Sequence, residues 1–453
     1  MLGRVHAPRG HDGLDPRAAA SWVALFAVFV LAVFDSHPTT QGPLISGKHP
    51  ARRIESVGPE VTEVVLPPFP GAHAIWGATG QDASGHIWFG VSAANTPLPS
   101  AHLLEYDPQA AQITDRGNVV EELKRAGVSR AGEHQAKIHS RIVQGPQGYL
   151  YFASMDEEDE HEDGSRLPTW GGHLWRLQLS THRWEHLLAV PEALIAVAGG
   201  DRFIYALGYF GHVLYQYDTT SGAIGRVAVG SVDGHISRNF MVDYRGHAYV
   251  PRLRAEQSAT GRRVVRTSIV EFGNDLHEIK ETPLVYDHYV HDDNPTQSHG
   301  IVSVQEMADK SWFFSTHVGF LYHVVPPPSA SGSASSHAPA EVVSVSWFHP
   351  DGRNYVASMF TPDGTGTLLG LSHDSLVPGG KPGFQWLTCD LASVSCRIAP
   401  FTPKTPDAET VLRASLYGSA TRDANNDHYV VGTVPADRGD TRPIVFRVRP
   451  RVR

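Results

Sequence analysis

A tight turn followed by an aromatic-rich strand recurs along this chain, and this recurrence constrains the fold more than any other feature. After each copy a short loop leads to a second strand, as where residues 199–206 are followed by residues 211–218. The copies begin at Gln81, Gly145, Gly199, Val242, Asp309, Thr361 and Asp423. Units of roughly 50 residues that each encode about four strands are typical of propeller blades, because one unit cannot bury its own faces and a ring of packed units can. We therefore predict an all-β fold, a β-propeller of about seven blades, with six or eight left open by the irregular copies.

An apolar run of 17 residues without charge occupies residues 18–34. A helix of that length rises about 26 Å, close to the thickness of a hydrocarbon core. Arg4, Arg9 and Arg17 precede the run, so the positive-inside rule places the N-terminus in the cytoplasm and the rest of the chain outside. We expect an uncleaved membrane anchor, and a cleaved signal segment is the alternative. In that case the propeller is secreted or periplasmic.

The rest of the chain divides by composition. A Pro-, Gly- and Ser-containing tether follows the apolar run. Residues 61–66 form an early strand that we expect to pair with the last blade and close the ring. The predicted parts are a cytoplasmic segment at 1–17, an anchor or signal segment at 18–34, a linker at 35–53 and the propeller at 54–453.

Composition excludes some classes of function. The formal net charge is −9 with His neutral, which argues against a nucleic-acid binder, since such proteins are usually basic. The two cysteines, Cys389 and Cys396, flank six residues. In an exported protein this pair predicts a disulfide across a hairpin, and two free buried thiols are the alternative.

One copy of the repeat points to a known family. Gly-Pro-Gln-Gly at residues 145–148 is followed by Leu-Tyr-Phe at residues 150–152. This unit resembles the repeat of bacterial propellers of the virginiamycin-lyase type. The resemblance implies the fold and not the activity, because that family's metal-binding acidic residues have no match here.

Candidate site residues lie just upstream of the turns, where the inner strand of each blade meets the channel mouth. They are His73, His139, Arg238, His299, Arg353 and Arg413, with Tyr209 from the third blade. Such a set predicts a cationic, His-rich funnel for an anionic ligand, since Arg binds a carboxylate or sulfate in bidentate fashion. His and Tyr serve as base and acid near neutral pH, which suits β-elimination on a uronic-acid polymer.

This set is similar to that of propeller-fold polysaccharide lyases, including ulvan-lyase types. The similarity implies catalytic roles for His139, Tyr209, Arg238 and His299, and ligand binding by His73, Arg353 and Arg413. The second blade departs from it, because its strand at residues 151–155 leads into an acidic loop without a second His.

Three alternatives accompany this hypothesis. The same residues serve a structural role if they bond backbone between blades. The protein is a non-catalytic scaffold for a protein partner if the rim is apolar. No cofactor motif is present, but His73, His139 and His299 would hold a divalent metal if they converge.

Two further segments have local predictions. Residues 155–164 form the densest charge block, and a solvated loop is favoured over a calcium site because the EF-hand spacing is absent. Residues 119–131 are the one helical candidate beyond residue 54, predicted to lie in a loop.

Overall fold

Seven sheets follow one another along the chain, and most strands of each are consecutive and antiparallel. The computed structural model describes residues 50–161, 164–231, 239–257, 261, 263–285, 300–328, 338–362, 364–373, 383–417, 421–436 and 439–451. The anchor prediction at residues 18–34 lies outside them. The described residues belong to one compact unit.

Each sheet is one blade, numbered here in chain order. Blade one contains β3 (Ala72–Ala74), β4 (Thr79–Gln81), β5 (Ile87–Ala93), β6 (His102–Asp107) and β7 (Gln112–Asn118). Blade two contains β8 (Val143–Gln144), β9 (Tyr149–Met155), β10 (Gly172–Gln178) and β11 (Arg183–Val190). Blade three contains β12 (Leu194–Gly199), β13 (Phe203–Gly208), β14 (Val213–Asp218) and β15 (Ile224–Ala228). Blade four contains β16 (Met241–Val242), β17 (Ala248–Gln257), β18 (Arg263–Phe272) and β19 (Glu278–Pro283).

The last three blades complete the ring. Blade five contains β20 (Ile301–Glu306), β21 (Trp312–Thr316), β22 (Phe320–Val325) and β23 (Glu341–Trp347). Blade six contains β24 (Tyr355–Phe360), β25 (Thr367–His373), β26 (Phe384–Asp390) and β27 (Ser395–Pro400). Blade seven contains β28 (Ser415–Tyr417), β29 (His428–Pro435) and β30 (Thr441–Arg449). The seven-bladed propeller predicted from the repeats is confirmed.

Two early strands join the end of the ring. Strand β2 (Glu60–Glu63) pairs antiparallel with β30 and supplies the outer strand of blade seven, so the expected ring closure is present. Strand β1 (Ala51–Ile54) pairs in parallel with β27 at the outer edge of blade six. The sheets therefore begin at Ala51, within the segment expected to be linker.

One turn recurs between the inner and second strands of three blades. In blade one, Asp82 accepts hydrogen bonds from the backbone N–H groups of Ser84 (2.8 Å) and His86 (3.1 Å), and from the indole N–H of Trp88 (2.9 Å). The residue between Ser84 and His86 is Gly85, whose φ of 85° suits glycine. A single carboxylate thus closes the turn and anchors the aromatic residue of the next strand.

Blades four and seven repeat this arrangement. Asp243 and Asp423 accept from the backbone N–H groups two and four residues later. Each also accepts from a tyrosine hydroxyl six residues later, Tyr249 at 2.7 Å and Tyr429 at 2.9 Å. The recurring turn-plus-strand unit of the sequence therefore has a physical basis in one hydrogen-bonded turn.

The core lies between neighbouring blades. At the junction of blades seven and one, the ring of Tyr429 packs 6.2 Å from that of Phe89 and 6.0 Å from that of Tyr106. All three are buried. Burying such a side chain contributes about 1.5–3 kcal/mol, so the ring is stabilised at each blade-to-blade contact.

A disulfide joins Cys389 of β26 to Cys396 of β27. The two residues are direct cross-strand partners, and both are buried. The bridge closes the hairpin at the outer side of blade six.

Two α-helices occur in the part of the chain that the structure describes. Helix α1 (Val119–Ala126) links blades one and two, begins at Asn118, whose side chain accepts from the N–H of Glu121, and ends at Gly127 with φ of 72°. Helix α2 (Ala408–Leu412) precedes blade seven. Among the described residues, neither helix has the length and apolarity needed to cross a membrane.

Candidate functional site

Two kinds of connection meet at one end of the ring. In a four-stranded antiparallel blade, the segment entering the inner strand and the loop between the second and third strands lie at the same end. We call this end the mouth. Blades one, two, three and seven contribute the residues discussed below: His73, Trp76, Lys137, His139, Glu157, Glu160, Glu192, Tyr209, Phe210 and Tyr417.

Trp76 lies at the centre of a group of side chains from three blades. Its indole is parallel to the imidazole of His139, with planes 5° and ring centres 6.4 Å apart. The rings of Tyr417 and His73 lie 5.3 Å and 5.8 Å from it, and Lys137 Nζ lies 5.6 Å from its centre. We call these five residues the ring cluster. It combines an aromatic surface with imidazole and ammonium groups.

The indole N–H of Trp76 has no hydrogen-bond partner among the described residues, although the nitrogen is buried. The residue as a whole is only half-buried. Nearly all buried N–H groups in folded proteins are paired with protein or water. The indole N–H of Trp76 is therefore a donor that the described residues leave unsatisfied.

The charge of His73 is set by its surroundings. Burial lowers the pKa of this imidazole, the positive charge of Lys137 lowers it further, and Asp440 acts in the opposite direction. The Nδ1 atom of His73 lies 2.5 Å from the hydroxyl of Thr441. His73 is therefore neutral near pH 7 and held by blade seven.

Lys137 connects the ring cluster to the acidic loop of blade two. Its ammonium group forms an ion pair with Glu157. Its backbone exchanges hydrogen bonds with Met155, with N···O distances of 3.1 and 2.8 Å. The backbone of the segment entering blade two is thus fixed along β9.

The acidic loop differs from the solvated loop expected. Asp156 is buried, and both carboxyl oxygens of Glu160 are buried without a hydrogen bond of normal geometry. Burial, followed by the negative charges of Glu157 and Glu192, raises the pKa of Glu160 to about 8. Glu160 is therefore largely a neutral carboxylic acid at pH 7. The expected solvated loop is thus present in part, because Glu158, Asp159 and His161 are exposed, whereas Glu160 lies against blade three.

Glu192 lies in a slot formed by blade three. It accepts a hydrogen bond from the hydroxyl of Tyr215 at 2.8 Å, and burial raises the pKa of its carboxyl group. A Cβ atom on Gly208 or Gly211 would lie 1.9 or 2.3 Å from Glu192 Oε2. Glycine is therefore required at both positions to admit this carboxyl group.

Tyr209 lies in the adjoining turn of blade three. Its ring stacks on Phe210 with centres 4.0 Å apart, and its N–H donates to the carbonyl of Ala193 at 2.8 Å. Phe210 in turn approaches the acidic loop, since its backbone N–H is the one group that favours the ionised form of Glu160 by hydrogen bonding. Tyr209 and the carboxyl groups thus share one side of the mouth.

The structure brings some of the predicted residues together. His73 and His139 flank Trp76, and Lys137 and Glu160 extend the cluster toward Tyr209. Arg353 and Arg413 are exposed, Arg413 as the residue that ends helix α2. Arg238 and His299 lie outside the described residues.

Sequence reasoning missed Trp76, Glu160, Glu192 and Tyr417 as site residues. Trp76 lies three positions after His73 on the same segment, so its place beside the predicted residues was visible in the sequence. Nothing in the acidic run distinguishes Glu160 from its exposed neighbours, because its burial depends on contacts with blade three.

Two groups of possible metal ligands occur among the described residues. In the first, Asp82, His86 and Glu105 lie together, and His86 Nδ1 is hydrogen-bonded to Glu105 at 2.5 Å. The equivalent pair in blade four, His247 Nδ1 and Glu271, is hydrogen-bonded at 2.8 Å. The repetition in a second blade shows that this group belongs to the recurring turn.

The second group is His134, Asp156 and Glu158. His134 Nδ1 lies 2.8 Å from Asp156, and this hydrogen bond raises the pKa of His134. The indole N–H of Trp170 bonds Glu158 at 2.9 Å and His134 Nε2 at 3.1 Å. These atoms are already used within the protein, so the group fits a metal ion poorly.

No family model matches the chain, and no curated protein matches it. The likeness to virginiamycin-lyase-type repeats therefore stays a prediction at the level of family. The sheet order defines the class of protein by itself: a seven-bladed β-propeller.

Solved structures similar to the chain include three propellers of different kinds. A structure of U3-55K is 10% identical, covers 86% of this chain and 100% of that chain, and has a TM-score of 0.47. The α-L-arabinanase of Penicillium chrysogenum complexed with arabinobiose is 12% identical, with coverages of 74% and 99% and a TM-score of 0.42. KlAtg21 in complex with the coiled-coil of AgAtg16 is 12% identical, with coverages of 83% and 99% and a TM-score of 0.46. Likeness this distant carries no argument about function.

Proposed function

We propose that this protein binds an anionic polysaccharide at the mouth of its propeller and cleaves it by β-elimination. The observation that carries the proposal is the ring cluster, in which Trp76 is surrounded by His73, His139 and Lys137. A sugar ring packs on an aromatic face, and a cationic group beside it binds the uronate carboxylate.

The neutral state of Glu160 supports the same ligand. An ionised carboxylate at this position would repel a uronate, whereas a carboxylic acid donates a hydrogen bond to it. Because the pKa of Glu160 is raised to about 8, the neutral form dominates at pH 7. Lys137 adds a positive charge nearby. Together they favour the substrate carboxylate and increase the acidity of the adjacent C5 proton.

The remaining steps use groups of suitable chemistry at the mouth. His139 takes the C5 proton, the C4=C5 double bond forms, and the bond from C4 to the glycosidic oxygen breaks. Tyr209 gives a proton to the leaving oxygen. Protons and electron pairs balance without an oxidant or a cofactor.

The first experiment uses the full-length protein and a panel of uronate-containing polysaccharides. We expect ultraviolet absorbance from unsaturated sugar ends to increase with one of them, and to be lost in His139→Ala and Tyr209→Phe. His277→Ala is the matched control, because the His277 side chain is 82% exposed and remote from the cluster. A flat trace with every polymer, with divalent metals present, would overturn the lyase and favour a binding scaffold.

We further propose that the propeller lies outside the cytoplasm, held by residues 18–34. The arginines before this run and its apolar length support this placement. Protease added to intact spheroplasts should digest the propeller, whereas digestion only after lysis would contradict export.

A further inference from the structure

The inner strand of blade two continues on the N-terminal side of β8, beyond the two residues that form its regular strand pairs. Beyond β8, Lys137 pairs with Met155, and the hydroxyl of Ser140 accepts from the N–H of Ala153 at 2.8 Å. The segment from Lys137 to Gln144 therefore follows the second strand along the channel side of the blade. Arg141 lies in the middle of this segment.

The position of Arg141 within the ring follows from this segment, because the inner strand of each blade lines the central channel. The charge of Glu306, at the end of β20 in blade five, favours the charged form of Arg141. Burial lowers the pKa of Arg141, although the residue keeps partial access to solvent.

Among the residues that the structure describes, the guanidinium of Arg141 has no hydrogen-bond or ion-pair partner. Glu306 is engaged instead by Lys310, at 3.3 Å. In the described part of the chain, the buried Arg252 is paired with Glu278 and Glu281 at 2.8 Å each. A deep guanidinium without a hydrogen bond or a close ion pair is costly in a folded protein, because water solvates it incompletely.

We propose that Arg141 is the anchor of an oxyanion site within the central channel, for a carboxylate, phosphate or sulfate group. A planar guanidinium binds such groups in bidentate fashion. Partial solvent access gives a small anion a path to it. The proposed anion binding does not depend on lyase activity.

The test measures binding of inorganic sulfate, phosphate and acetate to the full-length protein by calorimetry at constant ionic strength. We expect saturable binding of at least one of them, weakened about tenfold or more in Arg141→Gln. Arg53→Gln removes the same charge from the exposed strand β1 and should bind as the wild type does. No saturable binding, or equal binding by Arg141→Gln, would overturn the proposal.

A second measurement separates a ligand site from a structural role. In anion-free buffer, Arg141→Gln should unfold at the same temperature as the wild type or higher, because no protein bond is lost. A lower unfolding temperature would show that Arg141 stabilises the ring by itself and would contradict the proposal.

The source of the oxyanion is identified by competition. A uronate oligosaccharide that displaces sulfate from the wild type shows that the anion is a group of the bound chain. An oligosaccharide that leaves sulfate in place identifies a free anion. Both results support the site, and neither depends on whether cleavage occurs.

Discussion

The indole of Trp76 and the imidazole of His139 lie parallel, 6.4 Å apart, although they belong to adjacent blades. We predict that Trp76→Leu weakens binding of a labelled uronate oligosaccharide about tenfold, or by roughly 1.4 kcal/mol, because the stacking surface is lost. Fluorescence anisotropy measures this. Tyr244→Leu is the control, since Tyr244 is an exposed aromatic at the opposite end of the ring. Equal weakening by both variants would remove Trp76 from the site.

Glu160 should make stability depend on pH. Its folded-state pKa is raised to about 8, above the unfolded value, so its contribution to the free energy of unfolding declines as pH rises from about 4.5 to about 8. Glu160→Gln should therefore gain about 1–2 kcal/mol over the wild type at pH 8 relative to pH 5. Urea unfolding at both pH values measures this gain. Asp159→Asn, a half-exposed neighbour paired with Arg166, should show no such increase. A constant difference for Glu160→Gln would place the carboxyl group in water.

His428 should make the free energy of unfolding depend on pH on the acidic side of neutrality. It is fully buried, packs 4.4 Å from the ring of Phe360, and neither ring nitrogen has a partner among the described residues. Burial lowers its pKa to about 3, so its contribution to stability is present above about 6.5 and declines as pH falls below that value.

His428→Leu should therefore gain about 2 kcal/mol over the wild type at pH 5 compared with pH 7.5. Urea unfolding at the two pH values provides the measurement, with the exposed His277→Leu as control. If both variants respond alike, His428 is not the source of acid sensitivity.

The carboxylate of Asp82 should be essential to blade one. Asp82→Ala leaves two backbone N–H groups and the buried indole N–H of Trp88 without their acceptor. We expect the free energy of unfolding to decrease by about 3 kcal/mol. Asp107→Ala also removes an acceptor of two backbone N–H groups but at a solvated turn, and should cost less. Chemical denaturation of both variants tests the difference.

The fold was predictable because its repeat is local. The turn closed by Asp82, Asp243 or Asp423 involves residues at most six positions apart, so the sequence itself shows it in blades one, four and seven. Ring closure was predictable for a related reason, since the early strand at residues 61–66 precedes the first copy of the repeat. The parallel strand β1 was not predicted, because its four residues are all exposed and show no apolar alternation.

The candidate site was only partly predictable. His73 and His139 could be placed at the mouth from their position before a turn. Their meeting at Trp76 depends on the packing of two blades. The neutral state of Glu160 depends on contacts with Phe210 and Glu192 of blade three, more than 30 residues away in the sequence. Local pattern carries no information on such contacts.

The pairing of β2 with β30 also orders events during synthesis. The outer strand of blade seven is made before all seven blades, and its Glu60 pairs with Arg449 of the last of them. A nascent chain therefore keeps an unpaired strand edge until blade seven has left the ribosome. Whatever shields β2 during that interval has to release it when β30 arrives.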